Sequence, residues 1–313
     1  PINFRGFPEI AAAPMAIKSD FDHIETFRGD VFFQLALDIQ RVPSSPTLRQ
    51  RLDQAALTKK WKEILHEESL NLIRRTNAEI SPVYAKDKAY NIPVDLDVSP
   101  FDNSKTKKKG VERSYKGCDG YAPMFAYIGQ EGHCLNVEMR KGSVHCQNGT
   151  PDFIRKTLQS AKKLTDKPLL FRLDSGNDIC CEERIMTMAH ATVHSEIKTE
   201  LDLERLPSGK YETNGLILHF GVFAYNLLRI IGQEGLREQD APLKKRATRR
   251  RIRTVIQNMI IMASKLVHQG RQWKLKVSLT NKWRPTFDAF IMLFSNAGMK
   301  FGVDRKAYKK WKR

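Results

Sequence analysis

NIPVDLDV, at residues 91–98, alternates apolar and acidic residues and gives the first indication of the fold. Every second residue from Val94 to Val98 is apolar, and Asp95 and Asp97 stand between them. This period of two predicts a β-strand with one apolar face and one acidic face. Asp97 comes at the carboxyl end of the strand, where open sheets place their binding sites.

Four further segments follow this strand in a regular order. Two short apolar runs, YAPMFAYIG at 121–129 and CLNVEMR at 134–140, predict strands separated by turn residues. Residues 151–164 have the amphipathic spacing of a helix, and PLLFRLDSG at 168–176 predicts a fourth, largely apolar strand. The predicted order is β-β-β-α-β, which indicates an α/β core built on a mixed sheet.

The chain divides into three predicted regions. Residues 1–90 form a helical N-terminal region, residues 91–236 contain the sheet, and residues 237–313 form a helical, basic C-terminal region. The longest apolar stretch, Leu216–Ile231, contains three polar side chains and therefore predicts a buried helix rather than a membrane span. We expect no membrane association.

The N-terminal region contains a candidate DNA-binding motif. A helical stripe over Asp30–Gln40 is followed by a break at Pro43 and a helix start at Ser45, with a further helix over Thr58–Arg75. The first two helices, with exposed arginines on the second at positions 49 and 51, are compatible with a helix-turn-helix that reads DNA. They are equally compatible with two packed helices of any bundle.

The charge balance points to a polyanionic partner. The 313 residues carry 53 Lys and Arg against 35 Asp and Glu, a net charge of +18, while 41% hydrophobic residues exclude a mostly disordered chain. Nucleic acid is the first expectation and an anionic membrane the second. Five cysteines without a CxxC pair favour a reducing compartment, so we expect a cytoplasmic protein.

The basic residues are concentrated in three runs. These are KTKKK at 105–109, KKRATRRRIR at 244–253 and the terminal RKAYKKWKR at 305–313. Each run alone is typical of a solvated surface, but together they favour binding to phosphates. We therefore predict that DNA is contacted by Lys107, Lys108, Lys109, Lys244, Lys245, Arg249, Arg250 and Arg251.

Two aspartates are candidate metal ligands. Asp97 and Asp174 each follow a predicted strand, and carboxylates brought together at strand ends can share divalent ions for phosphoryl transfer. The alternative is that each aspartate caps a turn. A zinc site built from His190, His194 and the Cys180-Cys181 pair is disfavoured, because adjacent cysteines point their side chains apart.

Several blocks in a fixed order resemble bacterial insertion-sequence transposases of the DDE class, and among them insertion sequence family 1380. The blocks lie at 94–129, 138–149, 168–178, 194–233 (HSEIKTELDLERLPSGKYETNGLILHFGVFAYNLLRIIGQ) and 249–277. The resemblance implies an RNase H-like fold and cleavage and rejoining of DNA at terminal inverted repeats and target sites. It also implies a two-metal site in which Asp97 and Asp174 bind Mg²⁺ or Mn²⁺, with Lys198 near the DNA backbone. The resemblance further implies a homodimer in the bacterial cytoplasm that is associated with the nucleoid when it binds DNA.

The third acid of the DDE set departs from the family pattern. The resemblance places that glutamate seven residues before Lys198, where this chain has Ala191. Only 17 residues separate Asp174 from Ala191, which predicts that a longer insertion has been deleted. Glu196 is the substitute we consider, although five residues along a helix rotate it by about 140° from position 191.

Two functions from different classes follow from the resemblance. One is a transposase that cuts and transfers DNA strands, and the other is an impaired remnant that binds DNA without cutting it. Asp97, Asp174 and Lys198 favour the first, whereas Ala191 and the short connection favour the second. A host RNase H-like nuclease is disfavoured by the blocks in the last third of the chain. The sequence leaves open whether the chain is an enzyme.

Overall fold

The structure is a computed structural model that describes residues 20–37, 39–84, 89–173, 185–187, 196–243, 247–261, 264–270, 272–278 and 280–296. Several predicted site residues lie outside these ranges, namely Asp174, Ala191, Lys244, Lys245 and the four zinc candidates. So do the N-terminal 19 residues and the terminal basic run.

The described residues form strands and helices in a mixed order. The strands are β1 (Val83–Tyr84), β2 (Tyr90–Val98), β3 (Phe101–Asp102), β4 (Glu112–Arg113), β5 (Asp119–Tyr121), β6 (Met124–Ile128), β7 (His133–Glu138), β8 (Leu169–Leu173), β9 (Ile185–Thr187), β10 (Ser264–Gln269) and β11 (Gln272–Val277). The α-helices are α1 (Val31–Ala36), α2 (Ser45–Leu57), α3 (Trp61–Arg75), α4 (Thr150–Lys162), α5 (Tyr211–Arg237), α6 (Ile252–Val255) and α7 (Arg284–Asn296). Short 3-10 turns lie at Asp22–Phe27 and Leu203–Arg205, and π-helical turns at Glu196–Glu200 and Ile256–Ile260.

A six-stranded mixed sheet is the centre of the fold, with β2 in the middle. β2 pairs antiparallel with β6 and parallel with β8, giving the order β7-β6-β2-β8-β9, and β1 pairs with the start of β2. The crossover from β7 to β8 contains α4, so the predicted β-β-β-α-β order is confirmed.

Both faces of this sheet are covered. The apolar side chains of β2 pack with those of β8 and α4, including Phe153 and Phe171. The other face carries Phe125 and Tyr127, which pack in one hydrophobic cluster with the long helix α5. The two aspartates of β2 are paired across the strands with these aromatic residues, so their face is the one toward α5. A strand covered on both faces is typical of parallel and mixed sheets.

Helix α5 is long and apolar enough to span a membrane, but 83% of its most apolar window is buried in the protein, so it is the core helix of the fold. A buried amide fixes its position. Asn226 donates to the Cys134 carbonyl (2.7 Å) and to Ser69 Oγ (2.8 Å), and accepts from the Cys134 amide (2.7 Å). It therefore ties β7 and α3 to α5 without leaving its own polar atoms unpaired.

The N-terminal helices agree with the prediction in type but not in their boundaries. Ser44, not Ser45, caps α2, with its hydroxyl accepting from the Thr47 amide, and Pro46 follows in the first turn. Leu48 and Leu52 are buried, whereas the two arginines at 49 and 51 are exposed as predicted. The cluster around α5 includes residues from these helices and from α7, and the three-region division stays a prediction.

The sequence predicts a helical C-terminal region, but part of this region forms strands instead. Residues 264–277 form the antiparallel hairpin β10–β11, in which Gln269 pairs with Gln272. Over QWKLKV at 272–277, apolar residues alternate with Gln and Lys at strand spacing, and Gly270 adopts a φ of +60° in the turn. A two-residue hairpin turn with glycine at its first position matches the twist of paired strands, which explains the hairpin.

One buried histidine makes stability depend on pH. His133 is fully buried, its Nε2 lies 3.1 Å from the Glu79 carbonyl, and its Nδ1 has no hydrogen-bond partner among the described residues. Burial lowers its pKa from 6.5 to about 4. As the pH falls, the unfolded chain therefore binds this proton before the folded chain does. The contribution of neutral His133 to the free energy of unfolding is fully present above pH 6.5 and is lost as the pH falls toward 4.

We expect the free energy of unfolding to fall by about 2 kcal/mol through His133 between pH 7 and pH 4.5. Urea unfolding at several pH values measures this, with His133→Gln as the non-titrating comparison. The prediction concerns the difference between the two proteins, because carboxylates also titrate in this range. Parallel pH dependences for the two proteins would contradict it.

Candidate functional site

The two aspartates of β2 have different environments. Asp95 forms a two-point ion pair with Arg172 on β8, in which Arg172 Nη2 donates to Asp95 Oδ2 (2.5 Å) and Nε donates to Oδ1. Asp97 lies two residues further along the same face, opposite Phe125 of β6. Burial raises the pKa of Tyr127 well above its ordinary value, and the charge of Asp97 adds to this effect. Both aspartates are partly exposed, and Asp97 is the one nearer the carboxyl end of the central strand.

The register relates Asp97 to the second predicted aspartate. Leu96 of β2 pairs with Leu173 of β8, and the strands are parallel. The next residue in the two strands is Asp97 in one and Asp174 in the other, and Asp174 lies outside the described residues. Equivalent ends of parallel neighbours lie at one edge of a sheet, the edge at which open α/β sheets bind ligands.

Glu196 is buried in a polar network and is 4% exposed. Its Oε2 accepts from Arg229 Nη2, and its Oε1 accepts from the backbone amide of Ile252 at 3.0 Å. Arg229 also donates to Tyr225 Oη (2.9 Å) and to the Arg250 carbonyl (2.7 Å). Both carboxylate oxygens are therefore engaged within the protein. Its role as a metal ligand stays a prediction.

Lys198 lies close to the segment that follows Asp97. Its Nζ donates to the Pro100 carbonyl (3.0 Å) and pairs with Glu204 Oε1 (2.8 Å). Glu196 and Glu200, two residues before and after it, both face the C-terminal basic segment. Arginines therefore hold the π-helical turn at 196–200 through Glu196 and Glu200. Lys198, between these two glutamates, lies toward the segment that follows β2.

Part of the second basic run serves to hold the fold together. Arg251 Nη2 and Arg253 Nε each lie 2.7 Å from the buried carboxylate of Glu200. Arg250 is 7% exposed, its guanidinium lies 4.0 Å from the centroid of the Trp283 ring, and burial lowers its pKa. Arg249 is partly exposed. The sequence could not separate these roles, because the acidic and aromatic partners are remote in the chain.

The first basic run is carried by an insertion between β2 and β6 that forms the small sheet β3-β5-β4. Lys108 Nζ donates to Asn103 Oδ1 (3.0 Å) and the Leu206 carbonyl (2.5 Å), so this lysine anchors the insertion to the segment before α5. Lys107 and Lys109 are exposed. Gly120 packs so closely that a Cβ there would lie 1.8 Å from the Phe101 carbonyl oxygen.

The residues at the end of β2 have the chemistry that a hard divalent cation requires. Asp97 offers carboxylate oxygens, the ligand type that Mg²⁺ and Mn²⁺ prefer, at a partly exposed position near the end of β2. Among the described residues, no group of three or more His, Cys, Asp or Glu side chains is placed to hold a metal.

Comparison with known proteins gives one match. Residues 11–197 match the family model described as transposase DDE domain, group 1. The match covers more than half of the chain and includes β2, β6, β7, α4 and β8. Comparisons with curated proteins and with solved structures give no match.

Proposed function

The chain belongs to the group 1 family of DDE transposase domains, and from that premise we propose that it binds DNA and catalyses metal-dependent strand cleavage and transfer. Family membership implies an RNase H-like fold, DNA as the partner and the use of divalent metal ions. The observation that supports the site is the parallel register of β2 and β8. Leu96 pairs with Leu173, so Asp97 is the next residue of β2 and Asp174 is the residue after the end of β8.

Each residue has a proposed part in this chemistry. Divalent ions held by Asp97 and Asp174 would stabilise charge on the attacking and leaving oxygens of a phosphoryl transfer. Lys198 would hold a DNA phosphate near the end of β2, exchanging its pairing with Glu204 for the phosphate. We propose Lys107, Lys109 and Arg249 as backbone contacts, with Lys244 and Lys245, and omit Lys108, Arg250 and Arg251 because their cationic groups are engaged internally.

We propose the substrates and setting from the resemblance. The DNA would be the terminal inverted repeats of a mobile element related to insertion sequence family 1380, together with its target. The protein would act as a homodimer in a bacterial cytoplasm. The N-terminal helices, with Arg49 and Arg51 exposed on α2, are the candidate helix-turn-helix.

A second candidate function is a remnant that binds DNA but cuts it poorly. A specific observation favours it, because Glu196 has both carboxylate oxygens engaged by Arg229 and the Ile252 amide. Since the resemblance places the family glutamate at Ala191, the site would lack its third carboxylate. We therefore expect cleavage to be slow even if Asp97 and Asp174 hold metal.

Cleavage of a supercoiled plasmid that carries the sequences flanking the gene tests the proposed function. In Mg²⁺ or Mn²⁺, we expect slow nicking by the unaltered chain and none above background by Asp97→Ala, because the variant loses a metal ligand. Asp166→Ala removes an exposed carboxylate after α4 and is the matched control. Equal nicking by both variants would contradict the role of Asp97, and binding without nicking by the unaltered chain would establish the remnant.

A further inference from the structure

The hairpin β10–β11 is a two-stranded ribbon outside the part of the chain that matches the family. Its six residue pairs run from Ser264–Val277 to Gln269–Gln272, and neither strand pairs with a third strand among the described residues. Six pairs at about 3.4 Å each make a ribbon about 20 Å long. An isolated hairpin of this kind is marginally stable in water, so the ribbon gains from a partner.

The two faces of the ribbon differ in character. The register and the period of two place Lys265 and its cross-strand partner Lys276 on one face, together with Val267 and Gln269. The opposite face includes His268 and Trp273, whose ring centroids are 4.8 Å apart. The first face is therefore polar and cationic, whereas the second is aromatic.

The cationic face is arranged unfavourably for the free protein. Lys265 and Lys276 are direct cross-strand partners and both are exposed. Like charges in that position destabilise a strand pair. Neither strand contains an aspartate or glutamate that could compensate them. A polyanion along this face would remove the repulsion, and this charge complementarity favours a polyanionic partner.

We propose that this ribbon enters the major groove of duplex DNA with its cationic face toward the DNA. The major groove, about 12 Å wide, admits a two-stranded β-ribbon. Lys265 and Lys276 would contact phosphates, and Gln269 beside the turn would reach base edges. A glutamine amide can pair with the N6 and N7 atoms of adenine, so the ribbon carries the chemistry for sequence preference as well as affinity. The inference rests on the proposed function only in taking DNA as the partner.

The first test measures the salt dependence of binding to a 30-base-pair duplex of mixed sequence by fluorescence anisotropy. If two phosphate contacts are lost in Lys265→Gln/Lys276→Gln, the slope of log K against log salt should become shallower by about 1.8. The matched control is Lys156→Gln/Lys162→Gln, which removes two exposed lysines of α4. An equal change in both double variants would overturn the proposal.

The second test identifies the groove. Dimethyl sulfate methylates guanine N7 in the major groove and adenine N3 in the minor groove, so one reagent reports both. We expect the unaltered chain to protect guanine N7, and Lys265→Gln/Lys276→Gln at the same protein concentration to reduce that protection, because both exposed lysines face the DNA. Protection of adenine N3 alone, or unchanged protection in the double variant, would overturn the proposal.

A third measurement separates the proposal from its alternatives. Vesicles of phosphatidylserine and phosphatidylcholine test an anionic membrane surface, and tighter binding to vesicles than to duplex would overturn the proposal. Absence of duplex binding by every protein would overturn the DNA premise and the proposed function together. If duplex binding depends on Lys265 and Lys276 but no nicking occurs, the proposal that the ribbon binds DNA is supported and only the proposed cleavage activity is rejected. Circular dichroism of each variant verifies the fold.

Discussion

Replacing Arg229 by alanine is expected to lower the free energy of unfolding by about 3–5 kcal/mol. Arg229 is 1% exposed and connects Glu196, Tyr225 and the Arg250 carbonyl. Its removal leaves the carboxylate of Glu196 buried without its charge partner. Breaking a buried pair from one side is far more damaging than breaking an exposed one, because the remaining charge stays desolvated.

Urea unfolding followed by circular dichroism measures this effect. Arg155→Ala, which breaks the exposed pair with Asp152, is the control and should change stability by at most about 1 kcal/mol. The double variant Glu196→Leu/Arg229→Met removes both charges and should recover much of the loss. A loss below 1 kcal/mol in Arg229→Ala would show that the network is not what holds the 196–200 turn to α5.

Ala191→Glu is expected to increase Mg²⁺-dependent nicking on the order of 100-fold or more. The resemblance places the third carboxylate of the metal site at this position, seven residues before Lys198. Mg²⁺ demands nearly ideal octahedral geometry, so a site with one carboxylate too few holds it poorly. Loss of groups that only support metal ligands already reduces affinity or activity by about 10–100-fold, and a ligand itself should matter at least as much.

The matched control for this experiment is Ala191→Gln, which supplies a side chain of the same size without the negative charge. Nicking should rise with Glu and stay unchanged with Gln, and Asp97→Ala in the Ala191→Glu background should abolish the gain. If Ala191→Glu has no effect, position 191 is not the only loss, and the short connection after Asp174 has displaced the segment as well.

The sequence predicted the central part of the fold because the relevant signals are local. The alternation in residues 91–98 produced β2, and the order of apolar runs and one amphipathic helix produced the crossover through α4. The apolar stretch at 216–231 was correctly predicted as a buried helix, now part of α5. The hairpin at 264–277 differs from the helix predicted for this region, because a basic composition does not distinguish a helix from a strand. The alternation over 272–277 and Gly270 are the local signals for it.

The sequence by itself therefore determined the strand order, the family and the position of Asp97 at the end of a strand. Tertiary structure decided which charges are available, since each partner is remote in the chain. Arg172 neutralises Asp95 from 77 residues away, Arg229 engages Glu196 from 33 residues away, and Trp283 covers Arg250. Local periodicity fixes which face a side chain occupies. Only the packing of distant segments determines whether that face meets solvent, a counter-charge or an aromatic ring.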